Sequence, residues 1–389
     1  MSLPNAIPDR RFDLDWLRIA AFGLLIFYHV GMFYVSWDFH VKSSHAGPAA
    51  EPLMKLLNPW RLTLLFVISG CATRFMLDRM KMGAFVASRT SRLLIPLVFG
   101  MLVIVPPQTY FEVVEKLGFS GGPAEFYGKY LTASGGWDII TPTWNHLWFV
   151  AYLFVYTLLI VAVSPMAKRL PRCWLSTLAS GWPIILLPFA WLLLTRATLE
   201  PIFDETHALF DDWYAHTIYF PAFLFGYGVA KHEAFFEFCQ RVRWPLLIVA
   251  LASWVTLQGG RLILGSITEL SEVVLDFAVT SLRELQAWTM ILALFGFARK
   301  HLRRDNAARR YLADAIFPFY IIHQTTIVIA AFYLNEQCLP LWVEVPLLVG
   351  ITAASCWLGY EIVRRVGFLC PLFGLKPLPR RRVRQATTA

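Results

Sequence analysis

The chain has 389 residues, of which 57% are hydrophobic and only 16% charged, and its mean hydropathy is +0.54. Soluble globular chains carry roughly 25% charged residues, so this composition excludes an ordinary water-soluble fold, which needs a charged skin. The net charge of +9 is no argument for a nucleic-acid partner until its distribution along the chain is known.

Apolar runs of about 20 residues, the length of a membrane-crossing helix, recur from end to end. They predict ten spans, near 17–36, 60–77, 91–108, 145–165, 176–195, 214–230, 244–264, 274–297, 312–333 and 341–362. The fold class expected is an all-α integral membrane protein, one domain over 1–389 with the lipid bilayer as its surroundings. The first run, Leu17–Val35, has no small-residue cleavage site after it and reads as a span rather than a cleaved signal. The polar, Gly-rich stretch 109–143, with Gly121-Gly122-Pro123 and Gly135-Gly136, reads as an extracytoplasmic loop. The eighth run is interrupted by Asp276, Arg283, Glu284 and Gln286. None of the six cysteines forms a C-x-x-C pair, which leaves no zinc or redox motif.

Charge sets the expected orientation. Of the 35 Lys and Arg residues, 27 fall near alternate ends of the spans, from Arg10, Arg11 and Arg18 through to the seven between Arg364 and Arg384. By the positive-inside rule that face is cytoplasmic. Both termini, 1–16 and the basic tail 364–389, are then cytoplasmic. The acidic Glu200, Asp204, Glu205, Asp211 and Asp212 share one outer loop. This pattern explains the positive charge by topology, with no nucleic acid needed.

The polar residues inside the spans carry the chemistry. Arg18 and His29 in the first span are eleven residues apart, close to three helical turns, so they share a face about 16 Å apart at ~1.5 Å per residue. Asp15 can pair with Arg18. A topogenic anchor explains Arg18 as well as a ligand-binding role does, but His29 lies well inside the bilayer, where ionisable residues are functional by default. His323, in Phe319-Tyr320-Ile321-Ile322-His323-Gln324, falls at nearly the same depth. A packing histidine remains the plain alternative for it. At the outer ends, His40 follows the first span, Arg61 opens the second, and His146 and Trp148 open the fourth. A mouth of His, Arg and Trp suits a sugar, with aromatic faces for the ring and polar groups for hydroxyls; an interfacial aromatic belt is the alternative. At the inner end, Arg89 and Arg92 open the third span. Guanidinium groups match phosphates, such as those of coenzyme A. No H-E-x-x-H spacing supports a metal, and no phosphate loop or G-x-S-x-G elbow is present.

In order along the chain, these residues resemble the membrane acyltransferase-3 family. The first span has Asp15-Trp16-Leu17-Arg18 with His29 ten intervening residues on. The second carries Leu65-Phe66-Val67-Ile68-Ser69-Gly70, similar to the family's F-F-V-I-S-G. Arg89-x-x-Arg92-Leu93, His146-Leu147-Trp148-Phe149 and Tyr320-Ile321-Ile322-His323 follow. Trp37-Asp38-Phe39-His40-Val41-Lys42-Ser43 and the Arg61 segment look like its periplasmic-glucan succinyltransferase subgroup. That resemblance implies a bacterial cytoplasmic membrane, acyl-CoA as donor (succinyl-CoA favoured, acetyl-CoA the alternative), no metal, and a periplasmic glucan as carbohydrate acceptor. Other members acylate other envelope sugars.

The expected mechanism places the donor's phosphates near Arg89, Arg92 and Arg18, the thioester near His29, and the acceptor near His40, Arg61, His146 and Trp148. His29 acts either as general base or as an acylated intermediate, and His323 orients the thioester or an oxyanion. A proton-coupled secondary transporter is the competing class, although no internal repeat favours it. A non-catalytic membrane scaffold is the third. The sequence leaves a homo-oligomer open.

Overall fold

The computed structural model describes residues 11–167, 181–264 and 272–376. Arg10, Lys168, Arg169 and Arg172, the start of the fifth predicted span, and Arg380, Arg381, Arg382 and Arg384 lie outside the described residues.

Among the described residues every regular element is helical. The helices are α1 (Phe12–Tyr34), α2 (Glu51–Leu77), α3 (Met82–Leu117), α4 (Pro123–Thr132), α5 (Trp148–Ala167), α6 (Pro183–Leu199), α7 (Trp213–Val229), α8 (Glu233–Leu264), α9 (Glu272–His301), α10 (Ala307–Asn335) and α11 (Leu341–Arg365). All but α4 overlap the ten predicted spans. Seven of them, α1, α2, α3, α5, α8, α10 and α11, are long and apolar enough to cross a membrane. The remaining three differ for physical reasons. α6 and α7 have 17 residues each, short of a full span, and α9 carries Asp276, Arg283 and Glu284 in its first half. A count of ten crossings therefore rests on α6, α7 and α9.

Two boundaries differ from the apolar runs in a way that matters for the site. α2 begins at Glu51, nine residues before the apolar run, because polar residues such as Lys55 and Asn58 continue the helix and are satisfied within it: Lys55 pairs with Glu51 at 2.7 Å. Arg61 thus lies inside the helix rather than at its mouth. Similarly, the stretch 109–143 is not wholly loop. α3 runs unbroken to Leu117, and α4 occupies Pro123–Thr132.

The ends of the helices sort into a basic end and an opposite end. At the basic end Arg11 bonds Asp13 (2.6 Å) and Glu233 of α8 (3.2 Å), and Glu233 takes Arg299 of α9 (2.6 Å). Asp15 of α1 holds Arg309 of α10 at 2.5 Å. At the opposite end Ser43 donates to Glu344 of α11 (3.0 Å), and the Ser44 amide donates to Asn335 (2.8 Å).

Prolines shape α3. Pro96 and the Pro106-Pro107 pair have no amide hydrogen for the carbonyl four residues back. The helix answers with two wide π-turns, Thr90–Leu94 and Gly100–Ile104, in which the Ile95 and Val105 amides reach five residues back. Carbonyls left over must be satisfied from elsewhere, since an unpaired backbone group in an apolar interior is costly. Tyr130 of α4 donates to Met101 O and Tyr127 to Leu102 O, each at 2.8 Å, while Thr325 of α10 donates to Ile104 O at 2.7 Å. The distortion therefore docks α4 on α3 and ties α3 to α10.

α2 crosses α7 closely. A Cβ added to Gly70 would collide with the Phe223 carbonyl, and one on Gly226 with the Val67 carbonyl. Only glycine lets the two backbones touch, the small-residue logic of helix association in membranes. Gly70 is the glycine of the second-span motif. We predict that Gly70→Val destabilises the purified protein by about 1–3 kcal/mol or more, seen as a lower unfolding midpoint in detergent. Gly23→Ala, at a position with nothing within 4 Å, should leave the midpoint unchanged or raised. Equal behaviour of the two variants would show that the α2–α7 crossing is not under steric constraint.

Candidate active site

The two intramembrane histidines meet. His29 of α1 and His323 of α10 are joined through His29 Nδ1 and His323 Nε2 at 2.7 Å. Their ring planes are 3° apart and their centroids 5.0 Å, so the rings lie edge to edge rather than face to face. The network settles the tautomers. His323 Nδ1 is 2.6 Å from the Tyr320 carbonyl, which can only accept. His323 Nδ1 therefore carries hydrogen, its Nε2 accepts, and His29 Nδ1 donates. That leaves His29 Nε2 with a free lone pair. His323 is fully buried, whereas His29 keeps accessible surface. The arrangement is a base held by an orienting partner, the geometry that general-base and nucleophilic catalysis share.

A second polar layer lies toward the end opposite the basic one. His146 donates from Nε2 to the Ile321 carbonyl (3.2 Å), and its Nδ1 accepts from Gln108 (3.3 Å). Tyr320 donates to the His146 carbonyl. Gln108 also donates to Thr325 (2.6 Å) and accepts from Gln324 (3.2 Å). The Gln324 amide is within reach of Asn145 (3.1 Å) and of His40 Nε2 (3.0 Å). His40 in turn donates to Glu112 (2.6 Å), which Lys116 joins to Asp38 at the surface. A continuous hydrogen-bonded ladder thus runs from Asp38 to Gln108 and His146. The His146 ring stands 5.2 Å from that of His323.

Arg61 lies within electrostatic reach of His29. Arg61 is buried, and its guanidinium sits 3.4 Å over the Tyr28 ring and donates to Asn58 at 2.6 Å. His29 lies within electrostatic reach of Arg61, His146, His40 and His323. At the basic end Arg18 donates to the Ala313 carbonyl of α10 (3.2 Å) and lies 4.0 Å from Asp15. Arg89 is buried against Thr73 (3.1 Å), and both Arg92 and Arg18 are close enough to repel it. The three arginines form one cationic cluster. Among the described residues, no three His, Cys, Asp or Glu side chains are grouped to hold a metal ion.

A family model described as an acyltransferase domain matches residues 11–361, which takes in every one of these side chains. The chain belongs to the acyltransferase-3 family. Relatives of this multi-pass membrane acyltransferase include Glucans biosynthesis protein C of Escherichia coli O139:H28 (strain E24377A / ETEC) and of Escherichia coli (strain K12). Each is 23% identical over 400 residues, covering 97% of this chain and 98% of the relative. No solved structure matches the chain.

Within this acyltransferase the site residues expected from sequence do not form a single mouth. His40 and His146 share the ladder, but Arg61 stands apart from them beside Tyr28. Trp148 is also elsewhere, with its face covered by His207 at 4.0 Å between centroids. His207 belongs to the loop 200–212, whose Asp212 carboxylate accepts from the Thr206 and His207 amides at 3.3 and 2.9 Å and from Tyr152. Trp148 therefore packs under a loop rather than offering an open stacking surface. Sequence reasoning misses Gln108 and Gln324 as members of this network, although each is visible as a polar residue within an apolar run.

The ladder depends on Gln324, which serves three neighbours. Gln324→Leu leaves Gln108, Asn145 and His40 short of a buried partner, and we predict a loss of about 1–3 kcal/mol, measured as a lower unfolding midpoint in detergent. An unchanged midpoint would mean that these groups find other partners and that the ladder is not structural.

Proposed function

We propose that this acyltransferase moves a succinyl group from cytoplasmic succinyl-CoA to a hydroxyl of a periplasmic glucan, across a bacterial cytoplasmic membrane with its basic end inward. The observation that carries the reading is the free Nε2 lone pair of His29, held by the His29–His323–Tyr320 chain inside a helix bundle that has cations at one end and a hydrogen-bonding ladder toward the other. The full-length likeness to proteins named for glucan biosynthesis supports the acceptor class. The distribution of basic residues supports the orientation, with both termini inward.

In this mechanism Arg89, Arg92 and Arg18 hold the donor's phosphates, and the carrier arm extends along the Arg18–His29 face of α1 to bring the thioester carbonyl to His29. The acceptor hydroxyl approaches from the ladder side, past His40 and His146. His29 Nε2 takes the hydroxyl proton as the oxygen bonds to the acyl carbon. The C–S bond then breaks, and the proton passes from His29 to the leaving thiolate, so coenzyme A departs as the thiol. His323 accepts the His29 Nδ1–H throughout, and that bond strengthens as His29 becomes charged.

The first test is CoA release by purified protein in nanodiscs supplied with succinyl-CoA and a periplasmic glucan. Release should require the acceptor, and His29→Ala should lower kcat by about 10²–10⁴-fold. His323→Gln should also lower kcat with KM nearly unchanged. Radiolabelled donor alone should leave no acyl group on the protein; a stable acyl-protein would make His29 the nucleophile instead. Transport of a solute without consumption of any donor, by folded protein, would overturn the transferase reading in favour of a transporter.

The donor site gives a separate prediction. Arg92→Ala removes one phosphate partner without exposing a buried ion pair, and should raise KM for the acyl-CoA about tenfold or more with kcat little changed. A normal KM would move the phosphate site away from this cluster.

A further inference from the structure

Neither Arg61 nor Arg283 has an ion-pair partner among the described residues. Arg61 is 7% exposed, its Nε makes no hydrogen bond, and among the described residues no carboxylate lies within ion-pairing distance of it. Its side-chain hydrogen-bonding partners, Asn58 and Tyr28, are neutral. Arg283 of α9 is half-buried and makes no hydrogen bond or ion pair among the described residues. Both guanidinium groups act electrostatically on the Tyr28 hydroxyl, and Tyr28 precedes His29, with the two rings 6.2 Å apart.

Carboxylates stand near these two arginines, but none bonds to either among the described residues. Glu205, in the loop 200–212, acts electrostatically on both arginines, but the partners its Oε1 holds are Tyr219 (2.6 Å) and His207 (3.1 Å). Glu284, next to Arg283, is bound to Arg196 at 2.5 Å, and Arg196 also holds Glu200. Arg61, Arg283 and Arg196 are matched in number by Glu205, Glu284 and Glu200, but none of these carboxylates ion-pairs with Arg61, which is buried with only neutral partners in contact. Such burial is strongly unfavourable unless an anion completes it.

We propose that Arg61 and Arg283 form an anion subsite beside His29 that receives the free carboxylate of a dicarboxylic acyl group, and so select the donor. This rests on the acyl transfer proposed above. In a four-carbon dicarboxyl chain the free carboxylate is three C–C bonds from the thioester carbon, roughly 4 Å away. With the thioester carbon at His29, a carboxylate directed toward Tyr28 would approach Arg61, which acts electrostatically on both residues. A neutral acyl chain of the same length leaves the buried Arg61 without an ion-pair partner. The subsite also accounts for the position of Arg61 apart from the His40–His146 ladder: it reads the donor, not the acceptor.

The test uses unreactive thioether analogues of succinyl-CoA and butyryl-CoA, which are alike in length and differ in the carboxylate. Binding to the full-length protein in nanodiscs is measured by calorimetry. Wild type should bind the succinyl analogue at least about tenfold more tightly, and Arg283→Gln and Arg61→Gln should each reduce that ratio severalfold. Arg283→Gln is the safer variant for folding, since Arg283 holds no neighbour. Equal binding of the two analogues by wild type would overturn the subsite, even if the protein transfers acyl groups. Selectivity retained in both variants would overturn its assignment to these arginines. Discrimination that follows a charge on the glucan instead of the donor would also overturn it. Carboxylate-selective binding without any transfer would uphold the subsite and remove the transferase reading.

Discussion

The hydrogen bond between His29 and His323 decides how α1 and α10 face each other, and the polar interior is arranged around it. Two imidazoles inside a helix bundle have four ring nitrogens to satisfy. The Tyr320 carbonyl settles one, and the histidines settle two between them. The fourth, His29 Nε2, is the one left for a ligand. A carbonyl can only accept, so the direction of the whole chain follows from a backbone atom one helical turn away. This makes the basic nitrogen of His29 a consequence of helix geometry as well as of side-chain choice.

The irregularity of α3 supports the same centre. Proline at 96, 106 and 107 breaks the normal i→i−4 pattern, and the freed Ile104 carbonyl is what Thr325 binds. Thr325 in turn anchors Gln108, and Gln108 reaches both His146 and Gln324. A straight α3 would keep its carbonyls to itself and give α10 nothing to hold. Helix distortions of this kind recur at functional sites, and here the reason can be traced bond by bond.

Much of this architecture is legible in the amino-acid sequence, because apolar run length and the alternation of Lys and Arg are direct physical signals. The helical periodicity of Arg18 and His29 places them on one face, and the similar depths of His29 and His323 place them at one level. Lateral arrangement is what a sequence does not carry. Arg61 reads as a mouth residue because the apolar run starts near Trp60, yet Glu51, Lys55 and Asn58 extend the helix beyond it. Trp148 reads as an open aromatic platform because nothing in its own span shows that His207, 59 residues away in the outer loop, covers it. Arg283 reads as a blemish in a span, since its meaning depends on Tyr28 and Glu205, which only tertiary packing brings near. Hydropathy reports depth, not neighbours.

The arginines make the strongest distinction between holding the fold and serving the chemistry. Five are buried among the described residues. Arg11 is matched by Asp13 and Glu233, Arg309 by Asp15 and Asp305, and Arg196 by Glu284 and Glu200. These three join helices and are electrically complete. Arg89 and Arg61 have no carboxylate within ion-pairing distance among the described residues, and they stand near opposite ends of the Arg18–His29 face. Burying a cation without a contacting counter-ion opposes folding, and an anion set against the guanidinium is a compensation that would offset it. An anionic substrate supplies it only when bound, and the electrostatic gain then appears as binding energy rather than as stability. An acyl donor with phosphates at one end and a carboxylate at the other would complete both sites at once, and would be held in register with its thioester at His29.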